Sequence, residues 1–132
     1  MGKMYYKGTT YGGFVAGERS PSESDSADIT EISEAATDGD IYVNRSDDVY
    51  TISFSGIKLA AALAAGQSVS LFNVTTVLVV EPFAPVMSTV DAGGVSLVVS
   101  IAANGVVSII NNSSGSISTV TPINGQINFV GR

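Results

Sequence analysis

The chain has 132 residues, no cysteine, no histidine and a net charge of −6, with twelve acidic against six basic side chains. That length supports one main hydrophobic core with a small appendage. The missing residues exclude disulfides, thiolate metal sites, Cys nucleophiles and the commonest general base, and the acidity excludes a nucleic-acid binder, which needs Lys and Arg against phosphates.

The first residues, Met1 to Tyr6, lack the apolar core of a secretory signal, so synthesis in a bacterial cytoplasm is expected. Residues 4–14, MYYKGTTYGGF, predict a small hairpin, with Lys7-Gly8 between Tyr/Thr runs and Gly12-Gly13 closing it. An isolated hairpin is not stable in water, so Tyr5, Tyr6, Tyr11 and Phe14 require a surface to pack on. Residues 1–14 are accordingly assigned to a Tyr-rich anchor. Residues 15–37 read as an acidic linker, since 15–40 holds eight of the twelve acids against one arginine. Its first part, AGERSPSESDSA, has the composition of a disordered tether. From Asp28 onward, the capping-box spacing to Glu31 and a face of Ile29, Ile32 and Ala36 predict a short helix.

Residues 38–132 form a β-rich head. Strands are predicted at 41–43 and 49–54 around a turn at 44–48, then a short Ala-rich helix over 57–65, capped by Ser55 and ended by Gly66. Beyond residue 68 everything reads as strand: a long run at 69–80, a bend at Pro82 and Pro85, then 86–90, 95–102, 106–110, 116–121 and 126–130. The 69–80 run is too short for a membrane helix and is broken by Ser70, Asn73, Thr75 and Thr76, so no membrane insertion is expected. Asn104-Gly105 and Asn124-Gly125 predict type I′ hairpin turns, and 91–94 and 112–115 serve two more. The expected fold is mainly β: an antiparallel, jelly-roll-like β-sandwich with one short Ala-rich helix, preceded by a small hairpin and an acidic linker.

Within residues 49–132 the only Asp, Glu, Lys or Arg side chains are Lys58, Glu81, Asp91 and Arg132, whereas a soluble domain is about a quarter charged. Runs such as TTVLVV and LVVSIA are apolar on both faces, although one face of a solvated strand reads polar. The excess predicts burial against copies of the same chain, because interface cores are depleted in charge.

The opening MYYKGTTYGG is similar to the Tyr-rich "YY-x-G-x-x-YGG" start of many small structural proteins of tailed phages and prophages. Residues 29–63, ITEISEAATDGDIYVNRSDDVYTISFSGIKLAAAL, resemble a module of phage tail-fibre and head-fibre proteins, with Asp38, Gly39, Asp40, Tyr50, Ile52, Ser53 and Leu63 carrying the match. The final INGQINFVGR strand is similar in style to trimeric phage tip domains. The resemblance implies a virion component, commonly a trimer, anchored through Tyr5, Tyr6 and Tyr11 to other virion proteins, with a tip that contacts the host surface. No collagen-like or coiled-coil shaft is present, which favours a short head fibre, decoration protein or baseplate tip.

Asp38 with Asp40, or Asp47 with Asp48, are the carboxylates with the spacing for an acid/base pair or a hard cation. Asp38-Gly39-Asp40 reads equally as the start of a strand and 44–48 as a polar turn, so no catalytic, cofactor or metal residue is assigned. Glycan recognition is the remaining chemistry. Phe83, between Pro82 and Pro85, reads as an exposed loop aromatic or as a plug for one end of the core, and the loops holding Asn104, Asn112 and Asn124 offer a polar rim. The expected function is a non-enzymatic virion protein, a homotrimer, with a host-surface glycan as candidate partner. The alternative is a carbohydrate-binding β-sandwich module of a bacterial surface protein, which would be monomeric with an exposed aromatic strip.

Overall fold

The computed structural model describes residues 10–11, 14–15 and 22–131; Tyr5 and Tyr6 lie outside the described residues. β1 (Thr10–Tyr11) pairs antiparallel with β2 (Phe14–Val15), Tyr11 opposite Phe14. The main body is one sheet of eight antiparallel strands: β3 (Ser22–Asp28), β4 (Ala36–Ser46), β5 (Val49–Leu59), β6 (Ser68–Asn73), β7 (Val86–Ala92), β8 (Val95–Ile101), β9 (Val106–Ile110) and β10 (Ile123–Val130). Their spatial order is β3-β4-β5-β10-β7-β8-β9-β6, and the sheet curls into a half-barrel around a single core. The mainly β, antiparallel class expected from the sequence is the one observed.

Period-two alternation sets each strand's inner face. On β4 and β5, Ile41, Val43, Tyr50, Ile52 and Phe54 point inward. The register places Ile41 opposite Phe54, Val43 opposite Ile52 and Arg45 opposite Tyr50. β10 extends these rows with Ile127 beside Ile52 and Phe129 beside Tyr50. The Tyr50 and Phe129 rings stack with centroids 5.0 Å apart and planes within 10°. In the other half, β7, β8 and β9 are lined by aliphatic residues, Val90, Leu97, Val99, Ile101, Val107 and Ile109, and β6 adds Leu71 and Phe72.

β10 joins the two halves. It pairs with β5 along most of its length, but with β7 only through residues 123–125. At the fork lies Gly125, where a Cβ would sit 2.6 Å from Val90 Cγ1. The Asp38-Gly39-Asp40 motif marks a second close approach. β4 shifts register there, and Gly39 adopts φ 118 with space for no Cβ, the Ile57 Cα lying 2.6 Å from that position.

Several sequence expectations are corrected. The tether expected at the start of the acidic linker is, from Ser22 onward, strand β3, its serines and acids pairing with β4 along an outer edge. The helix expected from Asp28 is one 3-10 turn (Ile29–Glu31), capped as foreseen by the Asp28 carboxylate, which accepts from Thr30 N at 3.0 Å. The Ala-rich helix over 57–65 does not form. Ile57 and Leu59 finish β5 opposite β4, because strand pairing outweighs weak intrinsic propensity. Among the described residues the one α-helix is instead α1 (Val74–Val77), where Asn73 interrupts the expected 69–80 strand by accepting from Thr75 N at 2.8 Å. Residues 116–121 contribute only an isolated bridge, Ile117 to Leu63. Asn124-Gly125 is not a turn but lies within β10. At Asn104-Gly105 only Gly105 has positive φ, so the turn is not type I′; Gly105 N donates to Ala102 O at 2.8 Å.

Candidate functional site: the loop end opposite Ser22

Strand directions divide the loops into two groups. The near end holds Ser22, the β4–β5 turn and the β8–β9 turn; the far end holds residues 29–35, 60–67, 93–94 and 111–122. The far-end loops are tied to each other. Leu63 and Ile117 exchange two backbone hydrogen bonds of 2.9 Å, and Asn111 N donates to Gln67 O at 2.8 Å. Asn111 is fully buried. Its Nδ2 donates to Leu63 O and Gly115 O, each at 2.8 Å, while its Oδ1 accepts from Ser113 N and Oγ. Every polar atom of that amide is occupied, as burial demands.

This clamp holds a recess of about 350 Å³ formed by Ala35, residues 60–62, Leu63 and Val69, with Gln67 and Ser68 as its polar side chains. Gln67 Oε1 accepts from Ala64 N at 3.0 Å. No lining residue is charged, so the recess suits a small neutral group rather than an ion. The sequence missed it because the alanines read as a helix face; the one signal was Leu63, the single large apolar residue between Ala60 and Ala65.

The four predicted surface residues do not form one rim. Asn112 and Asn124 belong to the far end, and Asn124 Oδ1 accepts from Gly56 N at 2.8 Å. Asn104 lies at the near end, its Oδ1 accepting from Val106 N at 3.2 Å. Phe83 is also at the near end, 70% exposed, with its N donating to Val130 O at 2.7 Å. It is a loop aromatic and not a plug of the core. Tyr42, half-exposed on the outer face of β4, escaped the sequence reading because alternation alone does not say which face is covered.

Asp38 and Asp40 begin β4, whereas Asp47 and Asp48 form the turn beyond its other end. Nine residues of extended chain separate Asp38 from Asp47, roughly 30 Å, so the two pairs do not combine. Among the described residues, no group of three or more acids is placed to hold a metal, and no helix is long and apolar enough to cross a membrane. Asp38 lies 3.9 Å from Lys58 in an exposed ion pair. Asp28, exposed, is held below its ordinary pKa by the Thr30 backbone and hydroxyl hydrogen bonds. Arg45 is buried on the inner face, its guanidinium 5.8 Å from the Tyr50 ring centroid.

The outer faces of the two half-sheets differ. Across β3-β4-β5-β10, one row reads Ser26, Tyr42, Ser53, Gln126 and the next Ser24, Asn44, Thr51, Asn128. Asp28 and Asp40 face each other at its far-end border. Across β7-β8-β9-β6, the rows read Met87, Ser100, Ser108, Ser70 and Thr89, Val98, Ile110, Ser68.

No protein-family model matches the sequence, and none of the curated proteins matches it. Among solved structures, the fold is similar to the head domain of lactococcal phage bIL170, described as a receptor-binding domain: TM-score 0.59, 11% identity, covering 76% of this chain and 93% of that one. At that identity the likeness is one of fold, and it accounts for nearly the whole of the phage domain.

Proposed function

We propose that the chain is a non-enzymatic virion protein of a tailed phage or prophage whose β-rich head contacts the host surface. The observation that carries this reading is the fold likeness to a phage receptor-binding head over 93% of that domain's length. The chain reaches the head at Ser22, on the near end, so an N-terminal anchor built on Tyr5, Tyr6 and Tyr11 would leave the far-end loops pointing away from the particle. Residues 1–14 act as that anchor, docking on other virion proteins, and the head, which extends back from residue 38 to β3 at Ser22, is a homotrimer of short-fibre, head-fibre or decoration type. The host partner is a surface glycan. Neutral hydroxyl and amide side chains around the recess and Asn112 suit a sugar, and among the described residues no carboxylate lines that recess.

The test is binding of the labelled full chain to whole cells of a bacterial strain panel. Binding should survive protease treatment of the cells and be lost after periodate oxidation of their surface sugars. Absence of binding to every strain, or release of shortened saccharides, would contradict the proposal.

A further inference from the structure

We infer that the outer face of β7-β8-β9-β6 is the surface on which copies of this chain pack against one another. The inference deepens the oligomeric part of the proposed function by naming its surface. These four strands contain one ionisable residue of the Asp, Glu, Lys or Arg type, Asp91, and it sits at the far-end border opposite Ser96. The centre of the face combines an apolar set with a row of small hydroxyls. Val98, Val106 and Ile110 are outward-facing and only half-buried, and Met87 is 69% exposed. Ser100, Ser108 and Ser70 stand side by side, the Ser70 and Ser108 hydroxyls 3.4 Å apart.

Chemistry selects the occupant. In a contact between copies, both surfaces come from the same acidic chain of net charge −6. An acid in the contact would meet a chain with twice as many acids as bases, so self-association favours a face with little charge. A basic partner protein would instead be met by carboxylates, and a glycan imposes no exclusion of charge. Around a threefold axis each copy turns this same face inward. β-branched ridges beside a serine row supply the relief for close packing there.

Light scattering coupled to size exclusion, on the full chain, tests this with three substitutions. Ser108→Lys and Val98→Lys place a charge in the centre of the face at outward positions, and Thr51→Lys places one on the other half-sheet. The unmodified chain and Thr51→Lys should run at the same multiple of 13.5 kDa. Ser108→Lys and Val98→Lys should fall to the single-chain mass with an unchanged far-ultraviolet circular dichroism spectrum. Should Val98→Lys lose that spectrum, Ser108→Lys, flanked in its row by serines alone, decides. Retention of the oligomer in the folded variants, or dissociation by Thr51→Lys alone, overturns this surface and leaves the oligomer standing. A single-chain mass for the unmodified protein overturns the surface and the oligomer together, while host contact is judged separately by cell binding.

Discussion

The two halves of the sheet share one core but are built from different chemistry on both faces. Inside, β4, β5 and β10 stack Arg45 over Tyr50 and Tyr50 on Phe129, whereas β7, β8 and β9 use only Val, Leu, Ile and Ala. Outside, the first half shows amides, hydroxyls and Tyr42 with acids at its borders, and the second shows valine, isoleucine and serine almost without charge. A face meant for water is built of amides and hydroxyls, with acids at its margin. A face meant for another copy of an acidic chain carries apolar side chains at its centre and leaves its one acid, Asp91, at the border. The uneven charge along the sequence is thus a division of labour across one continuous sheet.

The sharpest way to break this contrast inside the molecule is Phe129→Ala. It removes the aromatic partner of Tyr50 and leaves a cavity beside that ring, and should cost about 3–5 kcal/mol in urea unfolding. A loss under about 1 kcal/mol would show that the aromatic stack does not anchor its half. Asn111→Ala strips the clamp that links the end of β9 to the loop after β5, removing one donor from Leu63 O and one from Gly115 O and the side-chain acceptor of Ser113 N. About 1–3 kcal/mol is expected, with faster amide exchange at Leu63 and Ile117 as the local readout. Unchanged exchange there would mean that the two far-end loops stand independently.

Val79 sharpens the comparison from the segment that links β6 to β7 within the second half. It is half-exposed, with φ 53, a left-handed conformation that penalises a β-branched residue. Val79→Gly should raise stability by about 1 kcal/mol, read as a higher urea midpoint; a lower midpoint would place the Val79 methyls among the contacts that matter. The smallest effect belongs to Asp28, on the bordered half. Its pKa is lowered in the folded chain, so its contribution is complete above the ordinary carboxylate value of 3.8 and fades only as pH falls through the lower folded value. Asp28→Asn should therefore flatten the most acidic part of the stability profile and cost a little stability at neutral pH, where the carboxylate's contribution is complete.

Much of the first half was legible because its rows alternate cleanly: Ile41 and Val43, then Tyr50, Ile52 and Phe54, are core positions by period alone. The Asp28 cap was legible from its spacing to residues 30 and 31. What failed were places where neighbours decide. The alanines after Leu59 carry helix propensity, but Ile57 and Leu59 are already committed to pairing with β4. Asn124-Gly125 has turn chemistry, yet the glycine serves the close approach of Val90 at the fork of β10. Of the candidate site, Asn112 was named as a surface-loop residue; Phe83, left open between loop aromatic and core plug, is exposed but lies at the opposite end. The recess was not, because it depends on Asn111, whose role as a clamp requires two distant carbonyls that no local pattern reveals.

Hydroxyl-radical footprinting of the full chain, comparing Met87 with Tyr42, tests the division between the two faces most directly. In a single chain Met87 is 69% exposed and Tyr42 44%. The account predicts that Met87 is protected in the assembled protein while Tyr42 is labelled at the rate its exposure allows. Rapid oxidation of Met87, matching its exposure in the isolated chain, would contradict the claim that this half of the sheet is covered.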